Sequence, residues 1–407
     1  MVLHQAFEKG TMATANSIPE ISPTPTRAGA SLLVLLASMS AEQSEGLLGK
    51  LVQVLPAEEL LVAGADTLTT ESHPGLRILP VPDINTHSTL TAADFVRAHQ
   101  LAQKHEARSI LMLGPEADSL SAMALLDLCN GMVPGPNDLT LPRYSLPANA
   151  GLVNSAILYP LTRALFAQRT RYPLAIDMGL SLRMAERLAS AGQRFSAANQ
   201  GNALIWPINE ASAAGFVINE VDVGPRQLPQ PVNADLNSML ALVAGSLFAD
   251  VEVKAPYWQR PRTLPPARIL HPQATTAEAP ADIHPMLDSF RLAYSNLREI
   301  WSLVLPPNSL LGLKRLSVTD AAAFRMPENL WARIVYDFLL AYRLRTINRG
   351  HLLGALTPLY LAWVASHINV LSSGTESEQH VEAVAAAFDA EKPYLVARWR
   401  WPDRFNP

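Results

Sequence analysis

The sequence predicts an α/β fold, a mainly parallel sheet with helices on both faces, followed by a C-terminal helical domain. Three observations carry this. Short apolar runs alternate with amphipathic stretches through the first third, a Pro-rich break follows residue 255, and apolar residues spaced three and four apart dominate beyond it. With 407 residues, 49% hydrophobic and 17% charged, the chain is long and apolar enough for two ordinary cores, so two domains are expected.

Residues 1–29 are polar and rich in Ser, Thr and Pro and lack the basic head and apolar stretch of a signal peptide; they read as a disordered tail. The first domain spans 30–254. Its strand candidates are Leu32–Ala37, Leu60–Ala63, Ile78–Val81 and Ile110–Leu113, with a helix over Ala92–His105 between the last two. Ligands of such sheets sit beyond the carboxyl ends of the strands, which points to Gly114–Ser119. Neither a dinucleotide Gly-rich fingerprint nor a Lys-bearing phosphate loop occurs. The stretch 255–283, with Pro261, Pro265, Pro266 and Pro272, reads as a linker or extended arm. From 284 to 407, helices are expected over Pro285–Leu303, Asn329–Asn348, Gly350–Leu371 and Glu376–Ala390. Leu352–Leu371 nears the length of a membrane span but contains Pro358, His367 and Asn369, so a buried helix is expected and no span.

The net charge of −4 offers no long-range attraction to nucleic acid or acidic membranes. Cys129 is the only cysteine, which excludes an intrachain disulfide and fits a reducing, cytoplasmic compartment. Homo-oligomerisation is left open.

Several segments, in order, resemble one family: "SILMLGPEADSLSAMALLDL" at 109–128, "LPRY" at 141–144, "LYPLTRALFAQRTRYPLAIDMGLS" at 158–181, "IWPINEASAAGFVINEVDVG" at 205–224 and "VEAVAAAFDAEKPYL" at 381–395. They are similar to GT-A type nucleotide-sugar glycosyltransferases of the mannosylglycerate and glucosylglycerate synthase kind. The resemblance implies a GT-A-like fold and sugar transfer from a nucleotide-diphosphate donor to a small hydroxylated acceptor that can bear a carboxylate. It also implies retention of anomeric configuration through an oxocarbenium-like transition state. Mg or Mn would neutralise the departing diphosphate.

Carried over residue by residue, the family's Asp-x-Asp metal motif falls on Glu116-Ala117-Asp118. Asp177 matches a family acid in the cleft, and Asn209 stands where relatives have an Asp near the reacting centre. An Asn orients a hydroxyl but cannot take its proton. Arg143 matches a position that engages the acceptor's carboxylate, and Tyr144 and Trp206 are candidates to stack on sugar or base. Each has a plainer reading beside it. Glu116 and Asp118 can be loop acids, Asn209 a cap on a helix beginning at Glu210, and Asp177 a partner for backbone donors at the turn into a helix over Leu180–Ala189. Arg143 can be a surface ion pair and the aromatics core. Lys392, Trp399 and Trp401 are expected to close the helical domain onto the first.

The chain departs from the family in several places. Gly224-Pro225-Arg226-Gln227-Leu228 lacks the His expected as a third metal ligand. Ser88–Ala93 lacks the relatives' Gly and Lys, and Ser38-Met39-Ser40 lacks their Tyr and Asn. Three alternatives therefore stay open: a metal-assisted glycosyltransferase, a non-catalytic homologue serving as a binding or assembly module, and an unrelated nucleotide-dependent α/β enzyme such as a nucleotidyltransferase.

Overall fold

The computed structural model describes residues 31–64, 75–81, 89–131, 137–198, 200, 203–229, 235–266 and 281–402. The expected tail 1–29, Ser88 and residues 267–280 of the Pro-rich stretch lie outside these. Seven strands, β1 (Leu32–Leu36), β2 (Leu60–Gly64), β3 (Arg77–Pro80), β4 (Ser109–Leu113), β5 (Leu139–Ser145), β6 (Asp177–Ser181) and β7 (Ile218–Pro225), form one sheet in the order β3-β2-β1-β4-β6-β5-β7. Only β6 runs against its neighbours, β4 and β5.

The strands β1, β2 and β4 read as continuous apolar runs because both faces of the sheet are covered there, whereas the edge strands β3 and β7 are partly exposed. Side chains alternate between those faces. Leu33 and Leu35 of β1, with Ile110 and Met112 of β4, pack under α2 (Ala92–Lys104), α5 (Leu182–Ala197) and α6 (Pro207–Ala214). Their neighbours Val34, Leu36, Leu111 and Leu113 meet α1 (Ala41–Val54) and α3 (Ala122–Asn130) on the other side. Ser40 and Gln43 form a reciprocal cap on α1, and Ser181 caps α5. At the crossing of α2 and α5, a Cβ added to Gly192 would lie 2.7 Å from the Ala92 carbonyl, so glycine there permits the close approach.

The second layer is helical: α4 (Tyr159–Phe166), α7 (Leu236–Val253), α8 (Ala255–Trp258), α9 (His284–Asn296), α10 (Arg298–Ser302), α11 (Pro307–Ser317), α12 (Glu328–Leu344), α13 (Arg349–Ser372) and α14 (Ser377–Arg400) share one core. That core takes in α4 and α7, which precede the Pro-rich stretch, and α8 at its start, so the helical packing extends to elements before residue 284. Pro256 itself lies in α8. The expected helix 285–303 is broken at Leu297, α11 was not expected, and α14 runs ten residues beyond Ala390, past Pro393. Trp399 does close a contact, edge-on to Trp258 at 4.9 Å within the helical layer, whereas Trp401 is exposed. α13 is buried along most of its length, as its composition suggested. Among the described residues α7 alone is long and apolar enough to cross a membrane.

An ionic seam holds α14 to the rest. Arg163 of α4 reaches Glu382 at 2.6 Å and Asp389 at 3.0 Å, and Arg171 reaches Glu378 at 3.0 Å. Just before α4, a wide helical turn over Asn154–Leu158 leaves the Ala156 carbonyl for the Trp331 indole at 2.7 Å.

Between α13 and α14, the His367 and His380 rings stack with their Nδ1 atoms 2.7 Å apart, a contact that needs one of the two nitrogens to carry the proton and the other to accept it. Burial and the neighbouring His380 push the His367 pKa down to about 4. The folded protein thus binds fewer protons than the unfolded chain between the ordinary histidine value and about 4, and stability falls as pH drops through that window. Urea unfolding should show about 2–3 kcal/mol less stability near pH 4.5 than near pH 7.5 from this group, and His367→Gln should flatten that part of the profile.

Candidate functional site

The carboxyl ends of β4, β5 and β7 and the start of the reversed strand β6 converge, because β6 pairs Asp177 with Leu113, the last residue of β4. Asp177 therefore opens a strand rather than capping the following helix, which begins only at Leu182 with Ser181 as its cap. Its carboxylate is fully buried. Oδ1 accepts from the Gly114 amide at 3.1 Å and from Arg226 Nη2 at 3.2 Å; Oδ2 accepts from the Tyr144 hydroxyl at 2.8 Å and from Arg226 Nε at 2.8 Å. Gly114 is required at this approach, since a Cβ there would lie 2.7 Å from the Ile176 carbonyl.

Arg226, the residue after β7, is equally buried, with its side chain wholly out of solvent. Besides its two bonds to Asp177, it donates from Nη2 to the Pro115 carbonyl at 2.7 Å, and from Nη1 to Ser119 Oγ at 3.2 Å and the Gln227 carbonyl at 2.7 Å. A guanidinium has five N–H donors. All of them are spent on the protein. Burial works against its charge, but Asp177, the Tyr144 hydroxyl and Asp118 outweigh that and hold the group above its usual range. Burial and the Asp177 charge likewise push the Tyr144 phenol well above its ordinary value.

Asp118 lies beside this pair, half-buried in a short turn over Ala117–Ser119, and its charge acts on Arg226. Lys50 donates to the backbone carbonyls of Asp118 and Leu120, the latter at 2.9 Å, and leaves the Asp118 carboxylate alone. Asp118 Oδ1 is buried with no hydrogen-bond partner. Glu116 precedes the turn in the left-handed region at φ 62° and accepts the Ser119 hydroxyl through its carbonyl. A divalent cation needs several anionic oxygens with free lone pairs. Asp177 has none free, Arg226 brings a positive charge to the same point, and the described residues hold no group of three or more metal-ligating side chains. The donor set does not fit such an ion.

The other sequence candidates are held elsewhere. Arg143 donates to Glu378 of α14 at 3.2 Å and lies 3.9 Å from Asp222, so it belongs to the ionic seam. Asn209 does not cap α6: the helix starts at Pro207, and the Asn209 side chain, fully buried, donates to Asp250 of α7 at 2.8 Å. Lys254 and Glu210 complete that joint at 2.8 Å. Trp206 is packed in the helical core. Of the seven candidates, Glu116, Asp118, Tyr144 and Asp177 thus gather at the carboxyl edge, and Arg143, Trp206 and Asn209 do not join them. Arg226, the residue that organises this edge, was passed over in the sequence. The available signal was an Arg next to the place where a metal ligand was missing.

The chain matches no protein-family model and no curated protein. Among solved structures it is similar to glucosyl-3-phosphoglycerate synthase from Mycobacterium tuberculosis in complex with Mn2+, UDP and glucosyl-3-phosphoglycerate, at 14% identity over 55% of this chain and 81% of that one, with a TM-score of 0.36. The same enzyme with Mg2+ and UDP gives 16% identity over 55% and 80%, with a TM-score of 0.35. A further mycobacterial protein gives 13% over 55% and 75%, with a TM-score of 0.36. At that level of likeness, nothing follows about the ligands of this chain.

Removing one member of a buried ion pair strands the other in a dry site. Arg226→Met should cost about 3–5 kcal/mol in urea unfolding, and Asp177→Asn a similar amount. The double variant Asp177→Leu with Arg226→Met should lose clearly less than the sum of the two single losses.

Proposed function

We propose that this chain is a non-catalytic protein on a nucleotide-sugar-transferase-like scaffold, acting as a binding or assembly module. One observation carries the reading: at the strand ends where a divalent cation and a diphosphate would meet, Arg226 spends every donor on the protein in a water-free position. A buried guanidinium so saturated has nothing left for a phosphate oxygen, and the Asp177 it covers has no lone pair left for a metal. The general-base position is no better suited, since Asn209 is an amide tied to Asp250. The helical layer supports the binding half of the reading. Among the described residues it leaves Leu242, Val253, Leu292, Leu303, Leu311 and Val318 exposed, more large apolar side chains than the sheet layer does.

A metal-assisted glycosyltransferase is the second reading, and the Asp118 oxygen without a partner favours it. Ligand linkage separates the two. A donor at a hundredfold its dissociation constant would stabilise the fold by about 2.7 kcal/mol, a shift of several degrees in a thermal melt. With Mn2+ or Mg2+ and millimolar UDP- and GDP-sugars, the melting temperature is expected to stay where it is, with no sugar released or transferred. A rise that depends on both metal and nucleotide, and that Asp118→Ala abolishes, would overturn the proposal in favour of the enzyme.

A further inference from the structure

A cavity of about 540 Å³ lies where the C-terminal end of α4, the first residue of β7 and the chain after α8 meet. Ile218, on its wall, opens β7, and Arg226 follows the far end of that strand. Eight residues at about 3.3 Å each separate this cavity from the Arg226–Asp177 pair by the length of the strand. One wall is aromatic, with Phe166 and Tyr257 stacked at 5.8 Å. Arg262 lies over the Tyr257 ring at 3.6 Å, and Arg169 fastens the extended chain by donating to the Pro265 carbonyl at 2.8 Å.

The charges around this cavity do not balance. Arg262 lines it and adjoins a cluster in which Arg163, Arg169 and Lys392 face Glu382 and Asp389. Arg163 already binds both acids, and Arg169 stands 3.6 Å from Glu382. Among the described residues Arg262 has no carboxylate partner, and the half-buried Lys392 amine has no hydrogen bond. Burial, and then the Arg262 charge, lower the Lys392 pKa against the pull of Asp389. Two positive charges held near each other, one of them half-buried, raise the energy of the site unless an anion lies between them. An arginine fork is the side chain best shaped to hold an oxyanion, and the cavity is of ligand size.

We propose that this cavity binds a small phosphate ester, with its dianionic head drawn to Arg262 in the field of Lys392 and Arg169, and its apolar body against Phe166 and Tyr257. The site is independent of the carboxyl edge of the sheet and holds whether or not that edge is catalytic.

Titration calorimetry on the full chain with phenyl phosphate and inorganic phosphate tests it. Saturable binding is expected for both, tighter for phenyl phosphate and weakening as salt is raised. Arg262→Ala should weaken phenyl phosphate at least about tenfold, as loss of a charge-assisted fork does, and leave the unfolding midpoint unchanged because Arg262 is exposed and without an ion pair. Lys392→Met should weaken binding less, through the field alone. No saturable binding at millimolar concentration, or equal affinity of the parent and Arg262→Ala, would overturn the proposal.

Discussion

The pairing of Asp177 with Arg226 fixes how the sheet ends. Two oxygens and five N–H groups, all out of water, tie the last residues of β4 and β5, the first of β6 and the exit of β7 to one point. A buried pair of this kind is a weak source of net stability, since desolvating both ions offsets most of their attraction. Its strength is in specificity: any arrangement of the strand ends that leaves either charge unpaired is heavily penalised. The turn at Pro115–Ser119, the tight approach at Gly114 and the set of the Tyr144 ring all follow from satisfying that pair.

The same logic explains why the helical layer is joined to the sheet layer by arginines. Arg143 and Arg171 project from the sheet side onto Glu378 of α14, and Arg163 of α4 holds Glu382 and Asp389 of the same helix within the helical layer. The acids are spaced to share one side of the helix, and burial of Arg171 makes its bond to Glu378 more than a surface contact. An arginine that reads in the sequence as an acceptor-binding group is, in three dimensions, a structural fastening.

Much of the architecture was legible in the sequence because doubly covered strands such as β1, β2 and β4 need uninterrupted apolar runs; these and the edge strand β3 stand within two residues of where they were expected. The helix over 92–104 and the three longest C-terminal helices followed from their periodicity. The strand β6 was not foreseen, since "DMGLS" reads equally as a turn into a helix and only pairing with β4 decides between them. Short helices such as α11 have too few turns to declare a period. The carboxyl edge was half legible. Strand ends located Asp118 and Asp177, but the charge beside both acids is Arg226, more than a hundred residues from Asp118, and no local pattern reports that proximity. Asn209 misled because an Asn near a helix start usually caps it, while here the preceding Pro207 had already begun the helix.

The reversal of β6 also bears on how the chain is made. Between β5 and β6 the backbone leaves the sheet, lays down the wide turn and α4, whose residues are buried from Asn154 to Phe166, and only then returns to fill the middle of the sheet. The helices that cover this excursion, α12 and α14 above all, are encoded more than 150 residues later. At ribosomal speeds of 5–20 residues per second, α4 waits roughly ten seconds or more for its cover. The nascent chain therefore carries this apolar segment without its final cover for part of its synthesis.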